Sequence, residues 1–300
     1  MRFGLVLPHF RHVASPEVVQ QVARDCEDLG YHSIWVTDHV VLPTPYVERF
    51  GTVIYEPLML LGYLAAATRR IVLGTSVIVV PYRNPLFLAK ALATADVLSG
   101  GRLLLGVAAG WCKEEFDSLG VSFERRGDIT DETLRILKAM WSSETPSFQG
   151  EFWSFRDVAV LPHPVQRPHP PLWVGGNSAR ARRRAVELGD GWQPTRPLPA
   201  DVRQGWEHLR RLAERAGRAL DGFVVSARTP LKFAPGAESR WPLIGDEDAM
   251  KRGVEAYQEA GTDTLVLDTF YSTPELHDVT ADGVRRTAER FARRVMPSFV

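Results

Sequence analysis

Cysteine and lysine are both scarce in this sequence. Only two cysteines, Cys26 and Cys112, occur among the 300 residues, and they lie far apart without a partner motif. Neither a disulfide framework nor a cysteine-based zinc site is expected, and a reducing cytoplasm is the expected compartment. Arginine far outnumbers lysine, a bias typical of GC-rich genomes. The lysines are Lys90, Lys113, Lys138, Lys232 and Lys251.

Net charge and long hydrophobic runs are also missing. The 36 basic residues balance 36 acidic ones, whereas a nucleic-acid or acidic-membrane partner calls for a basic excess, so neither partner is expected. The N-terminal stretch MRFGLVLPHF is apolar. It is too short for a secretory signal or a spanning helix, and we interpret it as a first strand.

Familiar catalytic motifs are absent too. The sequence contains no GxSxG, HExxH or Walker motif, which removes the local signals for serine hydrolases, zinc peptidases and P-loop enzymes. The histidines do not cluster at ligand spacing, apart from His163 and His169 among prolines. No metal site is predicted.

The stretch from Ile71 to Trp111 contains the repeating unit of the chain. Residues 71–80 are almost continuously apolar and rich in β-branched side chains, as in a strand buried on both faces. Pro85 opens a helical pattern over 86–98 that ends at Gly100. Residues 102–107 form a second buried strand. Strand, helix and strand at this spacing predict a right-handed βαβ unit with parallel strands.

This unit repeats from end to end. The predicted strands are 2–8, 33–36, 71–80, 102–107, 171–175, 191–194, 223–227 and 264–267. Eight strands alternating with eight helices predict one (β/α)8 barrel domain over 1–300, with insertions on its C-terminal face. The rhythm breaks at a polar, proline-rich insertion around 143–170 and at a loop around 231–245 that we expect to be mobile. A doubly wound open sheet is the competing fold, but the glycine-rich first turn usual there is missing.

In such barrels the active site lies at the C-terminal ends of the strands. Asp38 and His39 follow the second strand and are the strongest polar pair, because an imidazole exchanges protons near neutral pH. The alternative is a histidine with a purely structural role. Cys112 has no partner for nucleophilic catalysis, and no lysine ends a strand as the Schiff-base lysine of a barrel aldolase would.

A second candidate lies where the fifth strand runs into a helix. Gly175, Gly176, Asn177 and Ser178 offer free backbone N–H groups at a helix start, which favours a bound phosphate. The alternative is an ordinary capped helix. Small residues from Gly106 to Gly110 allow a planar ring to approach the backbone, with Trp111 able to stack, or else simply fill a tapering barrel. Arg83 is able to neutralise an anionic group, although an exposed loop arginine often binds nothing.

Five segments together resemble the luciferase-like monooxygenase superfamily, which contains flavin- and deazaflavin-dependent (β/α)8 enzymes. They are GLVLP, SIWVTDHV, the stretch 71–111, RRGDITDETLRILKAMW and PVQRPHPPLWVGGNSARARRRAVELGDGW. The resemblance covers nearly the whole chain. It is strongest to the branch that uses the deazaflavin coenzyme F420.

The resemblance implies a role for each candidate residue. It places the cofactor ring against a bulge in the third strand at Ser76 and Val77, where the family often has a non-prolyl cis peptide bond. Asp38 and His39 are then the catalytic pair beside the ring. The cofactor-binding residues it implies are Ser76, Val77, Arg83, Gly106, Ala109, Gly110, Trp111, Gly175, Gly176, Asn177 and Ser178.

One departure from the family pattern bears on the reaction. Relatives that oxidise alcohols or sugar phosphates carry a glutamate where this sequence has Ala109, and a tryptophan where it has Pro43. We therefore expect hydride transfer from reduced F420 to a small organic substrate. The alternatives are an FMN-dependent monooxygenase that uses oxygen and a separate reductase, and a non-catalytic barrel that only binds a cofactor or ligand. Apolar runs in helices 56–68 and 86–98 lead us to expect a homodimer.

Overall fold

Eight parallel strands close into a barrel in the computed structural model, which describes residues 1–271, 273–276 and 279–299. The order around the barrel is β1, β2, β3, β4, β7, β8, β9 and β12, returning to β1. These strands are β1 (Arg2–Val6), β2 (Ser33–Val36), β3 (Val72–Val79), β4 (Leu103–Ala108), β7 (Leu172–Gly175), β8 (Gly191–Gln193), β9 (Val224–Pro230) and β12 (Thr264–Asp268). The predicted barrel is confirmed.

Ten helices lie between successive strands or after the last one in the described part of the chain, and the longer ones cover the outside of the barrel. The ten are α1 (Pro16–Asp28), α2 (Val47–Phe50), α3 (Pro57–Ala67), α4 (Pro85–Ser99), α5 (Lys113–Ser118), α6 (Arg126–Ser142), α7 (Ala179–Leu188), α8 (Pro199–Arg215), α9 (Glu247–Glu259) and α10 (Ala281–Arg294). The short helices α2 and α5 lie near the C-terminal mouth of the barrel. Side-chain oxygens cap several of their N-termini, among them those of Ser15, Asn84, Ser178, Asp246 and Thr280. Among the described residues, no helix is long and apolar enough to cross a membrane.

Two short helices and the C-terminal region differ from the sequence-based expectation. Helices α2 and α5 occur in segments without helical periodicity, because four and six residues are too few to show it. The pattern predicts one closing helix over 274–296. Instead, a 3-10 turn at Pro274–Leu276 precedes α10, and residues 277 and 278 lie outside the described residues.

Two indole rings fill the barrel interior beneath its C-terminal mouth. Trp35 of β2 and Trp173 of β7 stack with their ring centroids 5.5 Å apart, and both are buried. Gly4 and Gly74 on the strands beside β2 make room for Trp35, since a Cβ on Gly74 would lie 2.4 Å from its ring. Ligands are therefore accommodated at the mouth rather than inside the barrel.

The two predicted insertions lie in different places. The segment 143–170 contains a hairpin of β5 (Phe148–Gln149) and β6 (Ser154–Phe155), and it packs on the outer surface. The Glu132 carboxylate accepts backbone N–H bonds from residues 151, 152 and 153 at 2.7–3.2 Å, and Glu151 pairs with Arg125, so the hairpin lies against the start of α6.

The segment 231–245 does follow a strand end at the mouth, as expected. Its ends pair in parallel as β10 (Lys232–Phe233) and β11 (Ile244–Gly245), and Leu231 and Leu243 are fully buried. Both ends of this loop are therefore anchored to the barrel, and its mobility stays a prediction.

Candidate functional site

A cavity of about 680 Å³ opens at the C-terminal ends of the barrel strands. This size suits a cofactor with a small substrate beside it. All of the candidate residues except Arg83 and Gly106 line its wall. The candidates that do are Asp38, His39, Ser76, Val77, Ala109, Gly110, Trp111, Gly175, Gly176, Asn177 and Ser178.

Arg83 and Gly106 do not line the cavity, and their expected placement is corrected. The Arg83 guanidinium is buried in ion pairs, with its nitrogens 2.6 Å and 2.9 Å from the Asp38 carboxylate and 2.7 Å from Glu56. The guanidinium N–H groups that bind these carboxylates are not available to a phosphate. Gly106 lies inside β4, where a Cβ would be 2.0 Å from the carbonyl oxygen of Thr75, so close strand packing requires a glycine there.

Asp38 has a structural environment. Its carboxylate is buried and also accepts a hydrogen bond from the backbone N–H of Val79 at 2.9 Å. Together with Arg83, this bond ties the end of β2 to the end of β3. The oxygens of Asp38 are thus engaged by the protein, and its neighbour His39 is the group free to act on a ligand.

His39 is paired with a carboxylate that sequence analysis missed. Its Nδ1 lies 2.9 Å from Oε2 of Glu115, whose side chain is fully buried. Because an ionised carboxylate only accepts hydrogen bonds, Nδ1 carries a proton and donates it. Nε2 is then the ring atom left to exchange a proton with a ligand in the cavity.

Glu115 is held by four donors. Besides His39, the backbone N–H groups of Val40 and Val41 donate to Oε1 at 2.6 Å and 3.2 Å, and the Tyr82 hydroxyl donates to Oε2 at 2.9 Å. Burial by itself raises the pKa of Glu115, but the hydrogen bonds from His39, Val40 and Tyr82 outweigh it and lower the pKa below its usual value. The carboxylate therefore stays ionised beside the imidazole.

Glu115 supplies a carboxylate near the site although Ala109 stands where the family pattern has a glutamate. The family's glutamate in the strand-four loop is absent, and α5 brings a carboxylate to His39 from six residues further along the chain. Sequence periodicity gave no signal for this contact, because α5 is short and Glu115 is one of two adjacent acidic residues.

His9, inside the barrel, stabilises the segment that leads to Asp38 and His39. Its Nδ1 donates to the carbonyl oxygen of Leu7 at 2.7 Å, and its Nε2 accepts from the backbone N–H of Thr37 at 2.9 Å. Burial lowers the pKa of His9 to about 4, so the ring is neutral at pH 7. It fixes the chain just before Asp38 and His39.

The opposite side of the cavity has the form of an anion site. Gly176 has a φ of 119°, and the Ser178 hydroxyl caps α7 by accepting the N–H of Ala181 at 3.1 Å. The N–H groups of Ala179 and Arg180 have no acceptor inside the helix, as at any helix start. These donors and the helix dipole suit a phosphate group.

Asn177 has a supporting role at this turn. Its side-chain amide donates to the carbonyl oxygen of Thr195 at 3.0 Å and accepts the N–H of Thr195 at 2.9 Å, which joins the ends of β7 and β8. The side chain is thus engaged by the protein, and only the backbone of Asn177 is offered to a ligand.

The floor of the cavity contains an irregular stretch of β3. The peptide bond between Ser76 and Val77 is cis, and the pairing of β3 with β4 shifts between Thr75 and Ile78. Both features occur where the family resemblance implies them. The carbonyl oxygen of Ser76 accepts a hydrogen bond from Arg228 at 3.0 Å.

Arg228 and Asp268 were not identified from the sequence. The Arg228 guanidinium lies 2.6 Å from the Asp268 carboxylate, and both are buried. Their pairing links β9 and β12 to the bulge of β3.

The cavity as a whole fits a phosphorylated ring cofactor. It has a candidate anion site on one side, an irregular strand as its floor and an imidazole on the other side. Within the described part of the chain, no three metal-ligating side chains come together.

Comparisons with known proteins agree with this geometry. A family model described as luciferase-like monooxygenase matches residues 1–271. The FMNH2-dependent dimethylsulfone monooxygenase of Pseudomonas putida is 31% identical over 182 residues, covering 58% of this chain and 50% of that protein.

Solved structures share the fold across the whole chain. The monooxygenase RslO1 from Streptomyces bottropensis superimposes with a TM-score of 0.85 at 22% identity, covering all of both chains. An F420-dependent secondary alcohol dehydrogenase, solved with an F420–acetone adduct, gives a TM-score of 0.82 at 18% identity and covers 100% of this chain and 99% of that one. The chain belongs to the luciferase-like monooxygenase family of flavin- or F420-dependent oxidoreductases.

Proposed function

We propose that this protein binds reduced coenzyme F420 in the barrel mouth and catalyses hydride transfer to a small organic substrate. The observation that carries this proposal is the pair of Glu115 and His39 at the cavity wall. Addition of a hydride to a carbon–carbon, carbon–nitrogen or carbon–oxygen double bond requires a proton at the other atom. An imidazole held by an ionised carboxylate is suited to supply it.

Each part of the cavity has a task in this reaction. Reduced F420, when bound, would be the source of the hydride. The first turn of α7 would hold its phosphate, and the bulge of β3 at Ser76 and Val77 would support its ring. His39 donates the proton from Nε2 to the substrate, and Glu115 stabilises the positive charge of the imidazolium before that transfer. Phe50 and Trp111 border the imidazole of His39.

A second candidate is an FMN-dependent monooxygenase that receives reduced flavin from a separate reductase and uses oxygen. The likeness to the dimethylsulfone monooxygenase supports it, and one phosphate at α7 satisfies either cofactor. A third candidate is a barrel that binds cofactor or ligand without turnover. The intact pairing of His39 with Glu115 argues against it, because a pure binding protein has no need of a buried carboxylate behind an imidazole.

Titration with the two reduced cofactors tests these candidates. We expect micromolar binding of F420, followed by its absorbance, and weaker binding of FMN. A panel of enones and imines then tests for oxidation of reduced F420 without oxygen. Preference for FMN together with oxygen consumption would replace the proposal with the monooxygenase. Binding of neither cofactor would leave only the non-catalytic barrel.

We further propose that the protein is a cytoplasmic homodimer. Buried, unpaired thiols at Cys26 and Cys112 suit a reducing compartment. Helices α3 and α4 expose large apolar side chains, with Met59, Phe87 and Leu98 more than 60% accessible, and such patches commonly mark protein interfaces. Analytical ultracentrifugation that gives the mass of one chain at micromolar concentration would contradict the dimer.

A further inference from the structure

Aromatic rings form a wall on the side of the cavity that contains His39. The Phe50 ring lies 6.3 Å from that of Trp111 with an interplanar angle of 23°, and 5.3 Å from that of Tyr271. The His39 ring meets Phe50 edge-on at 4.6 Å. Trp111 is 50% exposed although it belongs to this cluster. Phe50 is 5% exposed and only borders the cavity, so the exposed aromatic surface next to the imidazole is that of Trp111.

One uncompensated positive charge lies at the edge of this wall. The Arg49 guanidinium is 5.3 Å from the ring centroid of Phe50 and 5.7 Å from that of Tyr271. Among the residues that the structure describes, no carboxylate forms an ion pair with Arg49. The Arg49 side chain also hydrogen-bonds Tyr271. A guanidinium has five N–H donors, so the aromatic faces and this one bond hold it in place while other N–H groups remain available to an anion.

Two ion pairs near this side are formed within the protein, and Arg126 of the cavity wall donates to the carbonyl oxygens of Gly110 and Phe123. Asp38 binds Arg83, and Arg228 binds Asp268. Glu115 is fully buried behind His39 and does not line the cavity. Glu124 lines the cavity two residues before α6 begins. The strands β12, β1 and β2 are neighbours, whereas β7 lies across the barrel, so Arg49 is far from the phosphate turn.

We propose that the substrate is a planar aromatic carboxylate whose ring packs on Trp111 beside Phe50 and whose carboxylate binds Arg49. This inference rests on the proposed function, because it names the substrate of the same site. A cation is disfavoured by Arg49, and a neutral aliphatic molecule makes no use of either the guanidinium or the flat aromatic surface. The arrangement keeps the ring of the substrate within reach of His39.

The test compares probes that differ in one property at a time. Calorimetry measures the Kd of 2-naphthoate, 2-naphthalenemethanol and cyclohexanecarboxylate for the protein, each with and without bound cofactor. We expect 2-naphthoate to bind about tenfold more tightly than either of the others, since one charge-assisted contact or one stacked ring is worth about this factor. Equal affinities for the three probes would overturn the proposal.

Variants assign the discrimination to single residues. Arg49→Gln should bring the naphthoate-to-alcohol ratio close to one, and Trp111→Leu should remove the preference for the aromatic over the alicyclic carboxylate. The matched control is Arg210→Gln, because Arg210 also lies over an aromatic ring, that of Trp206 at 5.0 Å, but on the outer helix α8. An equal loss in Arg210→Gln, or unchanged ratios in Arg49→Gln, would overturn the proposal.

The two proposals fail in distinguishable ways. Discrimination for 2-naphthoate that depends on Arg49, in a protein that binds neither F420 nor FMN, would support the ligand class and overturn the proposed reaction. Binding of F420 with no preference among the three probes would support the cofactor assignment and overturn the substrate class.

Discussion

The two sides of the cavity are constructed in different ways. The turn proposed to bind phosphate uses consecutive residues, Gly175 to Arg180, and mostly their backbone. The acid–base side depends on side chains that are distant in sequence: His39 and Glu115 are 76 residues apart, and Arg228 reaches Ser76 over 152 residues. One side is a local property of the chain, and the other exists only in the closed barrel. Substitutions on the two sides should therefore have separable effects on catalysis and on cofactor binding.

Glu115→Gln should have the largest effect. The amide keeps the shape of the side chain but loses the negative charge that stabilises the imidazolium of His39. We expect kcat to fall about 100-fold or more, with little change in cofactor Kd. Steady-state kinetics and a cofactor titration measure the two quantities.

The control for this experiment is Glu132→Gln. Glu132 is also a buried carboxylate that accepts several backbone N–H groups, but it lies outside the cavity. The Glu132→Gln substitution should lower stability without lowering kcat by a comparable factor. An equal fall in kcat for both variants would show that Glu115 acts only on stability.

Acidification should lower the free energy of unfolding, because His9, which supports the acid–base side, is buried in its neutral form. Its pKa is about 4 in the folded protein against 6.5 as a model value, so the unfolded chain takes up the proton first as the pH falls. This contribution to stability is complete above pH 6.5 and is lost between pH 6.5 and about 4. A shift of this size corresponds to about 3 kcal/mol.

Urea denaturation at several pH values measures this loss. The variant His9→Gln, whose side chain does not titrate, should show a flatter dependence of the unfolding free energy on pH over the same interval. An identical slope in the variant and the wild type would assign the acid sensitivity to other groups.

Ser178→Ala should have the smallest effect, on the other side of the cavity. Loss of the cap on α7 should cost about 1 kcal/mol of unfolding free energy. Because the phosphate turn loses its fixed geometry, the cofactor Kd should rise about fivefold while kcat at saturation stays unchanged. Thr280→Ala removes the corresponding cap on α10 and should lower stability alone. A change in kcat rather than in cofactor Kd for Ser178→Ala would contradict the expectation that the two sides affect catalysis and cofactor binding separately.

This division also explains what could be predicted from the sequence. Strand β2 and helix α7 begin and end where their patterns indicate, because burial periodicity and capping residues are local signals. The phosphate site predicted at Gly175 to Ser178 rests on the same kind of local signal and stays a prediction. Glu115, Arg228 and Asp268 were missed, since nothing near them in sequence reveals which distant strand ends they meet.

Arg83 shows the opposite error. An arginine in a loop next to a strand end is a reasonable phosphate ligand when considered alone. Only the folded chain brings it against Asp38 and Glu56, which occupy its donors. Side-chain partners are thus the part of a site that a single sequence predicts least well, even where the fold and the location of the site are correct.

The stacked indoles of Trp35 and Trp173 have a consequence for the order of events at the site. They fill the interior beneath the cavity, so a ligand reaches the floor at Ser76 and Val77 from the C-terminal mouth. With the cofactor on this floor and the substrate beside Trp111, as proposed, we expect ordered binding, in which the cofactor binds first and leaves last.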